Sequence, residues 1–368
     1  MNIAILSYGV VGHDGRLKEL IKSCELIGKT YVIAIAVDEE NRSNETIKLE
    51  SRDKRFSFLN YFKFIIHSIN IMKKIKPLDI LVVDDFTSSV VGFIINFIFN
   101  PKFLIQDSRE LYIDKKMPGL GNVFLKFEQM LFERSDLIVC ANQQRSVIMK
   151  EKLKLKEYPY VFENIRILDG HYNENVLNEK YMSFNNSRIK IISTGGCSIA
   201  RGTKNLVLAM KKLPDYDLYI IGKGRNEDYN EIMSTINSEQ LLNVHILERI
   251  PLNELLYLVR SCDIGIVEYH KNDMNNLYCA SGKVYEYMNE GLPVVTTENI
   301  PLIELCNSYR IGVADDTFIR GINEVAKNLD FYKKNVDKFM LEISVEKNND
   351  NLARKIRNVY ENKMQVGK

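Results

Sequence analysis

The chain has 368 residues, more than one ordinary core accommodates and enough for two domains. With 45% apolar and 27% charged residues and no repeat or Pro/Gly/Ser-rich tract, its composition excludes a disordered or solenoid protein. A formal net charge of +2 excludes the strongly basic balance of a nucleic-acid binder. The six cysteines are scattered without a C-x-x-C pair, which excludes a zinc module and reads as small core residues of a reducing compartment.

The amino terminus enters a strand at residues 3–6 without the basic region and apolar core of a signal peptide, so the expectation is a cytoplasmic protein. Gly9, Gly12 and Gly15 then form a turn before a helix through Leu17, Leu20, Ile21 and Cys24, and residues 31–37 form the next strand. This is the opening β-loop-α-β unit of a parallel, doubly wound sheet. The glycine spacing fails the G-x-G-x-x-G pattern and Asp38 alone is weak support, so no nicotinamide site is expected. His13, Asp14 and Arg16 stand at a strand-to-helix turn, where such sheets place ligands, and are acceptor-side candidates. Their plain alternative is that Asp14 caps the helix and Arg16 is solvated.

Residues 58–72 carry Phe62, Phe64, Ile65, Ile66, Ile69 and Ile71, and the wider stretch from Lys54 to Leu78 adds Lys54, Arg55, Lys63, Lys73, Lys74 and Lys76 with no acid. That composition suits a surface resting on anionic lipid; a helix packed on the sheet with a solvated lysine flank fits it as well. Residues 90–99 are apolar but shorter than the roughly 20 residues a spanning helix needs, and read as a buried crossover helix. Further strands are expected at 80–83, 103–105, 137–140 and 165–168. Gln106-Asp107-Ser108-Arg109-Glu110-Leu111 follows one of them, with Arg109 and Glu110 as acceptor-side candidates. Asp84-Asp85 reads as structural or acceptor-facing, because adjacent acids do not form an Asp-x-Asp metal clamp. The first domain is expected to span 1–175.

From there the pattern restarts. Strands are expected at 189–193, 218–221, 244–247, 264–267, 293–296 and 311–313, with a helix at 205–213, giving a second α/β domain over 176–345. The tail 346–368 reads as a helix able to pack back on the first domain. Gly195 and Gly196 close the first of these strands in a turn that lets a phosphate approach, and Arg201 follows with a fork of donors for a diphosphate. The sharper signal is Ser281-Gly282-Lys283-Val284-Tyr285-Glu286-Tyr287-Met288, closed by Gly291-Leu292-Pro293. Ser281 is a good N-cap, the amides of Gly282, Lys283 and Val284 would form an anion-binding helix start, and Glu286 lies about one turn in, placed to accept two ribose hydroxyls. On local physics alone, Glu286 as a dipole-favoured acid and Lys283 as a solvated lysine are as good a reading.

This segment resembles the donor-site signature of the large family of retaining glycosyltransferases with a GT-B fold, in its Lys-x-x-Glu-Tyr-Met branch of the glycogen-synthase-like group. Residues 191–202 resemble that family's strand, glycine turn and basic-Gly loop, 218–224 (LYIIGKG) its second strand and turn, and 243–254 its base-reading segment. The resemblance implies two Rossmann-like domains with parallel sheets facing across a cleft. It implies Arg201 and Lys283 on the diphosphate, Glu286 on the ribose, and Glu248 and Arg249 near the base. The chain departs at Gly196, where many relatives carry arginine, at Tyr278, where many carry an acid, and at Arg109, where histidine is usual. Glu268, Asn275 and Asn276 are then the candidates for holding the sugar.

The implied activity is transfer of a hexose or N-acetylhexosamine from a UDP- or GDP-sugar to a saccharide or lipid-linked saccharide, without metal or other cofactor, in surface polysaccharide or glycolipid synthesis. The rivals are a sugar-nucleotide epimerase of related architecture and a non-catalytic nucleotide-sugar or saccharide-binding protein.

Overall fold

The computed structural model describes residues 1–11, 14–36, 47–48, 57–113, 117, 119, 121–168, 170–184 and 186–366. The chain divides into two units, the first comprising 1–164 with 345–368 and the second 165–344.

In the first unit, the described strands are β1 (Asn2–Val10), β2 (Lys29–Ala36), β3 (Ile47–Lys48), β4 (Ile80–Asp84), β5 (Phe103–Ser108), β6 (Leu137–Cys140) and β7 (Tyr160–Val161). They form one sheet in the order β3-β2-β1-β4-β5-β6-β7, every pair parallel. Strand direction sorts the side chains of β1 to two faces. Ala4, Leu6 and Tyr8 join a core with Phe64, Met72, Val91 and Ile95, whereas Ile3 and Ile5 join Leu17, Leu20, Leu352 and Ile356. Both faces are covered, which is why β4 and β5 are buried along their full length. Each fully buried Leu, Ile or Phe contributes roughly 1.5–3 kcal/mol.

The helix Phe58–Met72 docks Phe64, Ser68 and Met72 inward, with Tyr8 edge-on to Phe64 at 5.1 Å, and leaves Phe58, Leu59, Phe62 and Ile66 exposed. Its neighbour Ser89–Phe99 buries Val91, Gly92 and Ile95 but exposes Phe97 and Ile98, so the expected buried crossover helix is buried on one side only. Gly92 lets it approach the sheet: a Cβ there would stand 2.5 Å from Val83 Cγ2. The terminal helix Val345–Val366 lies with the first unit through Leu352, Ala353 and Ile356.

The second unit contains β8 (Ile189–Ser193), β9 (Tyr216–Ile221), β10 (Val244–Leu247), β11 (Ile264–Val267), β12 (Val294–Thr296) and β13 (Gly312–Ala314), ordered β10-β9-β8-β11-β12-β13 and again parallel throughout. Leu206, Val207, Met210, Leu218, Ile220, Ile232, Ile264, Ile266 and Val325 are among its core.

Two expectations are corrected here. Residues 165–168 form no strand; the seventh strand of the first sheet is β7, and 165–168 run as irregular chain at the start of the second unit. The division falls after residue 164 rather than 175, because the helix Glu174–Lys180 is tied into the second unit. Tyr257 Oη donates to Asn178 Oδ1 at 2.6 Å, and Lys180 pairs with Glu254 at 2.7 Å.

Candidate functional site

In both sheets the strand order reverses beside the first strand of the unit, between β1 and β4 and between β8 and β11. The crevice outside the carboxyl ends of strands at such a reversal is where open α/β sheets hold ligands.

In the second unit, β8 ends in Thr194-Gly195-Gly196 and β9 in Gly222-Lys223-Gly224, and the two turns pack backbone to backbone. The Cys197 amide donates to the Gly222 carbonyl at 3.2 Å, and a Cβ on Gly224 would stand 2.1 Å from the Cys197 oxygen. Gly196 is held at φ +70° with the Gly222 oxygen 3.4 Å from any Cβ, so any side chain there would be strained in this backbone.

The helix Gly282–Asn289 is anchored to this turn by Tyr287, whose buried hydroxyl accepts from the Thr194 amide at 2.9 Å and shares a 2.9 Å hydrogen bond with Thr194 Oγ1. Its ring crosses β11 where Gly265 has no side chain; a Cβ there would meet the ring at 2.5 Å. With Tyr287 and Met288 buried beneath it, Glu286 is turned to the partly exposed side of the helix.

Lys283 Nζ, Glu268 Oε1 and Ser193 Oγ stand 3.3, 3.5 and 3.7 Å from where a Cβ of Gly195 would lie, so the space that residue leaves is lined by an ammonium, a carboxyl and a hydroxyl. Glu268 follows β11 and is buried; Thr203 Oγ1 donates to its Oε1 at 2.6 Å while accepting from the Ser198 amide at 3.1 Å. Ser281 sits at the helix N-cap, yet its hydroxyl makes no capping bond, contrary to expectation. Ser193 Oγ, Glu268 Oε2 and Ser281 Oγ are buried without a hydrogen-bond partner, and among the described residues of the second unit these are the side-chain polar atoms so left. An orphan of this kind costs about 1–3 kcal/mol, a cost removed when a ligand completes it.

The electrostatics follow from this crowding. Burial pushes the Glu268 carboxyl up to about 7, opposed by the Thr203 hydrogen bond, Lys283 and Arg201. Burial and then Arg201 push Lys283 down to about 8, opposed by Glu286 and Glu268. Burial also raises Glu286, against the charges of Arg166 and Lys283. Arg201 is exposed, its guanidinium carbon 5.7 Å from the Tyr269 ring centroid. A turn faced by an ammonium, with two arginines acting on the same charged groups and a helix start beside it, is an arrangement that can hold an anion.

Other candidates stand apart from this cluster or are engaged locally. Glu248 and Arg249 are exposed beyond β10, the edge strand, with Glu248 paired to Lys223 at 2.5 Å. Asn276 gives its amide nitrogen to Asp273 Oδ1 at 2.8 Å, and Asn275 is partly buried on the same short helix Met274–Leu277. Val284 is buried in the helix start.

In the first unit, His13 lies outside the described residues. Asp14 caps the helix Gly15–Glu25 through a 3.0 Å bond from the Leu17 amide. Arg16, expected to face an acceptor, is instead buried: it forks onto Asp107 at 2.7 and 3.2 Å and donates to the Phe162 carbonyl at 2.6 Å. Arg109 forks onto buried Asp84 at 2.5 and 2.8 Å and also pairs with Asp14. Asp85, at φ +65°, is pushed up to about 6 by burial, and Glu110 is partly exposed beside it.

Arg166, Ser193 and Thr203 belong to the second-unit site and were not among the residues singled out from sequence. Ser193 and Thr203 flank recognisable glycine turns; Arg166 has no local signal, because its place depends on where an irregular segment crosses a helix more than a hundred positions later.

No protein-family model matches the chain, and no curated protein matches its sequence. Solved structures do match its fold along almost the whole length. HepE of Anabaena in complex with UDP superposes with a TM-score of 0.74 at 16% identity, covering 97% of this chain and 100% of that one. A glycosyltransferase from Rickettsia africae gives 0.71 at 18% identity, covering 99% and 98%. UDP-GlcNAc 2-epimerase from Neisseria meningitidis bound to UDP-GlcNAc gives 0.58 at 15% identity, covering 98% and 99%. The chain therefore has the GT-B fold, two α/β units with parallel sheets.

Proposed function

We propose that the protein is a glycosyltransferase that binds a UDP- or GDP-sugar at the turn around Gly195 and transfers its hexose or N-acetylhexosamine to a saccharide or lipid-linked saccharide hydroxyl, with retention at the anomeric carbon. The observation that carries this reading is the set of orphaned buried polar atoms, Ser193 Oγ, Glu268 Oε2 and Ser281 Oγ, gathered with Lys283 and Arg201 at the start of the Gly282–Asn289 helix. It gains support from the GT-B fold shared with a structure that holds UDP.

As the bond from anomeric carbon to diphosphate oxygen breaks, negative charge grows on the leaving diphosphate. Arg201, Lys283 and the amides of Gly282, Lys283 and Val284 would stabilise that charge from fixed positions, the strongest kind of help an active site gives such a step. The acceptor oxygen forms the new bond to the anomeric carbon, and its proton passes to the departing phosphate oxygen on the same face. Glu286 would hold the ribose, Glu268 with Asn275 the sugar, and Glu248 and Arg249 the base. Asp14, Arg109 and Glu110, with His13, remain the first unit's acceptor-side candidates. The counter-charge comes from side chains and amides, so the reading is metal-independent: activity should persist in excess chelator.

The membrane-facing part of the reading rests on Phe58, Leu59, Phe62 and Ile66, exposed along one helix beside exposed Lys63, Lys73, Lys74 and Lys76. Among the described residues no helix is long and apolar enough to cross a membrane. The contact in this reading is a peripheral one, on the cytoplasmic face, in surface polysaccharide or glycolipid synthesis.

Titration calorimetry with UDP, GDP and their sugars, followed by assay of nucleoside diphosphate release with saccharide acceptors, tests the reading; no binding by any of them overturns it. The fold shared with an epimerase keeps that activity as the second reading. Incubating the bound sugar nucleotide without acceptor separates the two, since only an epimerase converts it to another sugar nucleotide.

A further inference from the structure

Arg166 lies at the start of the second unit, on an irregular segment, and its side chain runs across the first residue of the Gly282–Asn289 helix. A Cβ on Gly282 would stand 2.4 Å from Arg166 Cδ, 2.7 Å from Nε and 2.9 Å from Cγ. Those are atoms in the middle of the side chain, so any residue but glycine at 282 would force the arginine to shift. Gly282 is buried and does not need a left-handed backbone; the passage of Arg166 is what its missing side chain makes room for. The guanidinium acts on Glu286, four positions along the same helix, as the larger of the two positive charges that offset burial of that carboxyl.

We propose that Arg166 is a positioning residue for the ribose end of the site: laid across the helix start through the gap at Gly282, one turn before Glu286, it holds a positive charge beside the Glu286 carboxylate that accepts the ribose diol of the bound nucleotide. The inference rests on the donor site described above. An ionised carboxyl accepts two neighbouring hydroxyls more strongly than a neutral one, and Lys283 also faces Glu268 and the turn at Gly195, so a second cation beside the helix start favours the charged form of Glu286. Arg166 also adds a third positive charge beside Arg201 and Lys283, against two carboxyls, which leaves the turn net positive for an anionic ligand.

The readout is discrimination between ribose and deoxyribose. Affinities for UDP and 2′-deoxy-UDP, and for GDP and 2′-deoxy-GDP, are measured by calorimetry on the full chain and on Arg166→Ala, Arg166→Lys, Gly282→Ala and Glu286→Gln. A hydroxyl held by a charged acceptor makes the wild type prefer the ribonucleotide by roughly 10- to 100-fold. Arg166→Ala and Gly282→Ala collapse that preference to near unity, as Glu286→Gln does, while Arg166→Lys keeps part of it. The Arg166→Ala/Glu286→Gln double variant loses no more discrimination than either single change. If Arg166→Ala does not fold, Gly282→Ala and Arg166→Lys still report, since both leave an arginine or lysine in place. Wild-type binding with the preference intact in folded Arg166→Ala and Gly282→Ala overturns this inference and leaves the donor site standing. Equal wild-type binding of ribo- and deoxyribonucleotide overturns it together with the ribose role of Glu286. A wild type that binds no nucleotide removes the donor site, and this inference with it.

Discussion

Thr203 Oγ1 donates a 2.6 Å hydrogen bond to Glu268 Oε1, and so ties the loop after Arg201 to a buried carboxyl whose other oxygen has no partner. That single bond sets where the remaining lone pairs of Glu268 can be used. It also makes the charge of Glu268 consequential, because Lys283 and Arg201 are the cations that act on it.

Nucleotide binding should therefore weaken as pH rises through the neutral range. Glu268, at about 7, is neutral below that pH and becomes a negative charge beside the anion site above it; Lys283, at about 8, loses its positive charge above that. Both changes disfavour an anionic ligand in the same direction, with Arg201, Arg166 and Glu286 as the other charges facing the turn. In Glu268→Gln the lower step disappears, and the Lys283 step moves to lower pH because a raising neighbour is gone. Calorimetry with UDP and GDP from about pH 6 to about pH 9 reads this directly; an affinity flat across that range in the wild type contradicts it.

Removing the Lys283 ammonium should cost turnover more than stability. Lys283→Ala is expected to lower kcat/KM by roughly 10²–10³-fold, the scale of losing one preorganised donor to a leaving group. The melting temperature should hold or rise, since a partly buried ammonium is expensive to desolvate. A variant with wild-type kinetics would take Lys283 out of the chemistry.

Arg16 is expected to behave in the opposite way. Its fork onto Asp107 is fully buried, so Arg16→Ala strands a carboxylate and should destabilise the protein by about 3–5 kcal/mol. Affinity for nucleotide should be unchanged in the folded fraction. An unaltered urea midpoint would return Arg16 to the list of acceptor-facing residues.

The exposed face of the helix Phe58–Met72 gives a separate test. The protein should sediment with anionic vesicles at low salt, and Phe62→Asp with Ile66→Asp should abolish this, because the apolar stripe and the lysines act together. Absence of wild-type binding at low and moderate salt would dispose of the membrane contact while leaving the donor site untouched.

The amino-acid sequence by itself determined the two α/β units, since short apolar runs between helical stretches have one way to be buried on both faces, as parallel strands. It also marked the turn at Gly195 and the helix beginning at Gly282, because glycine placement and a helix start are local properties of the chain. Its strand at 165–168 failed for the complementary reason: four mostly apolar residues look alike whether they pair in a sheet or cross a helix, and only β7 occupying the edge settled which. Tertiary structure alone decided that Arg16 belongs to Asp107, that Arg166 runs over Gly282, and that Ser193 and Glu268 at the Gly195 turn, and Ser281 at the helix start, keep unpaired atoms. Charge pairing and the loss of solvent depend on distances between residues far apart in the chain, which no local pattern encodes.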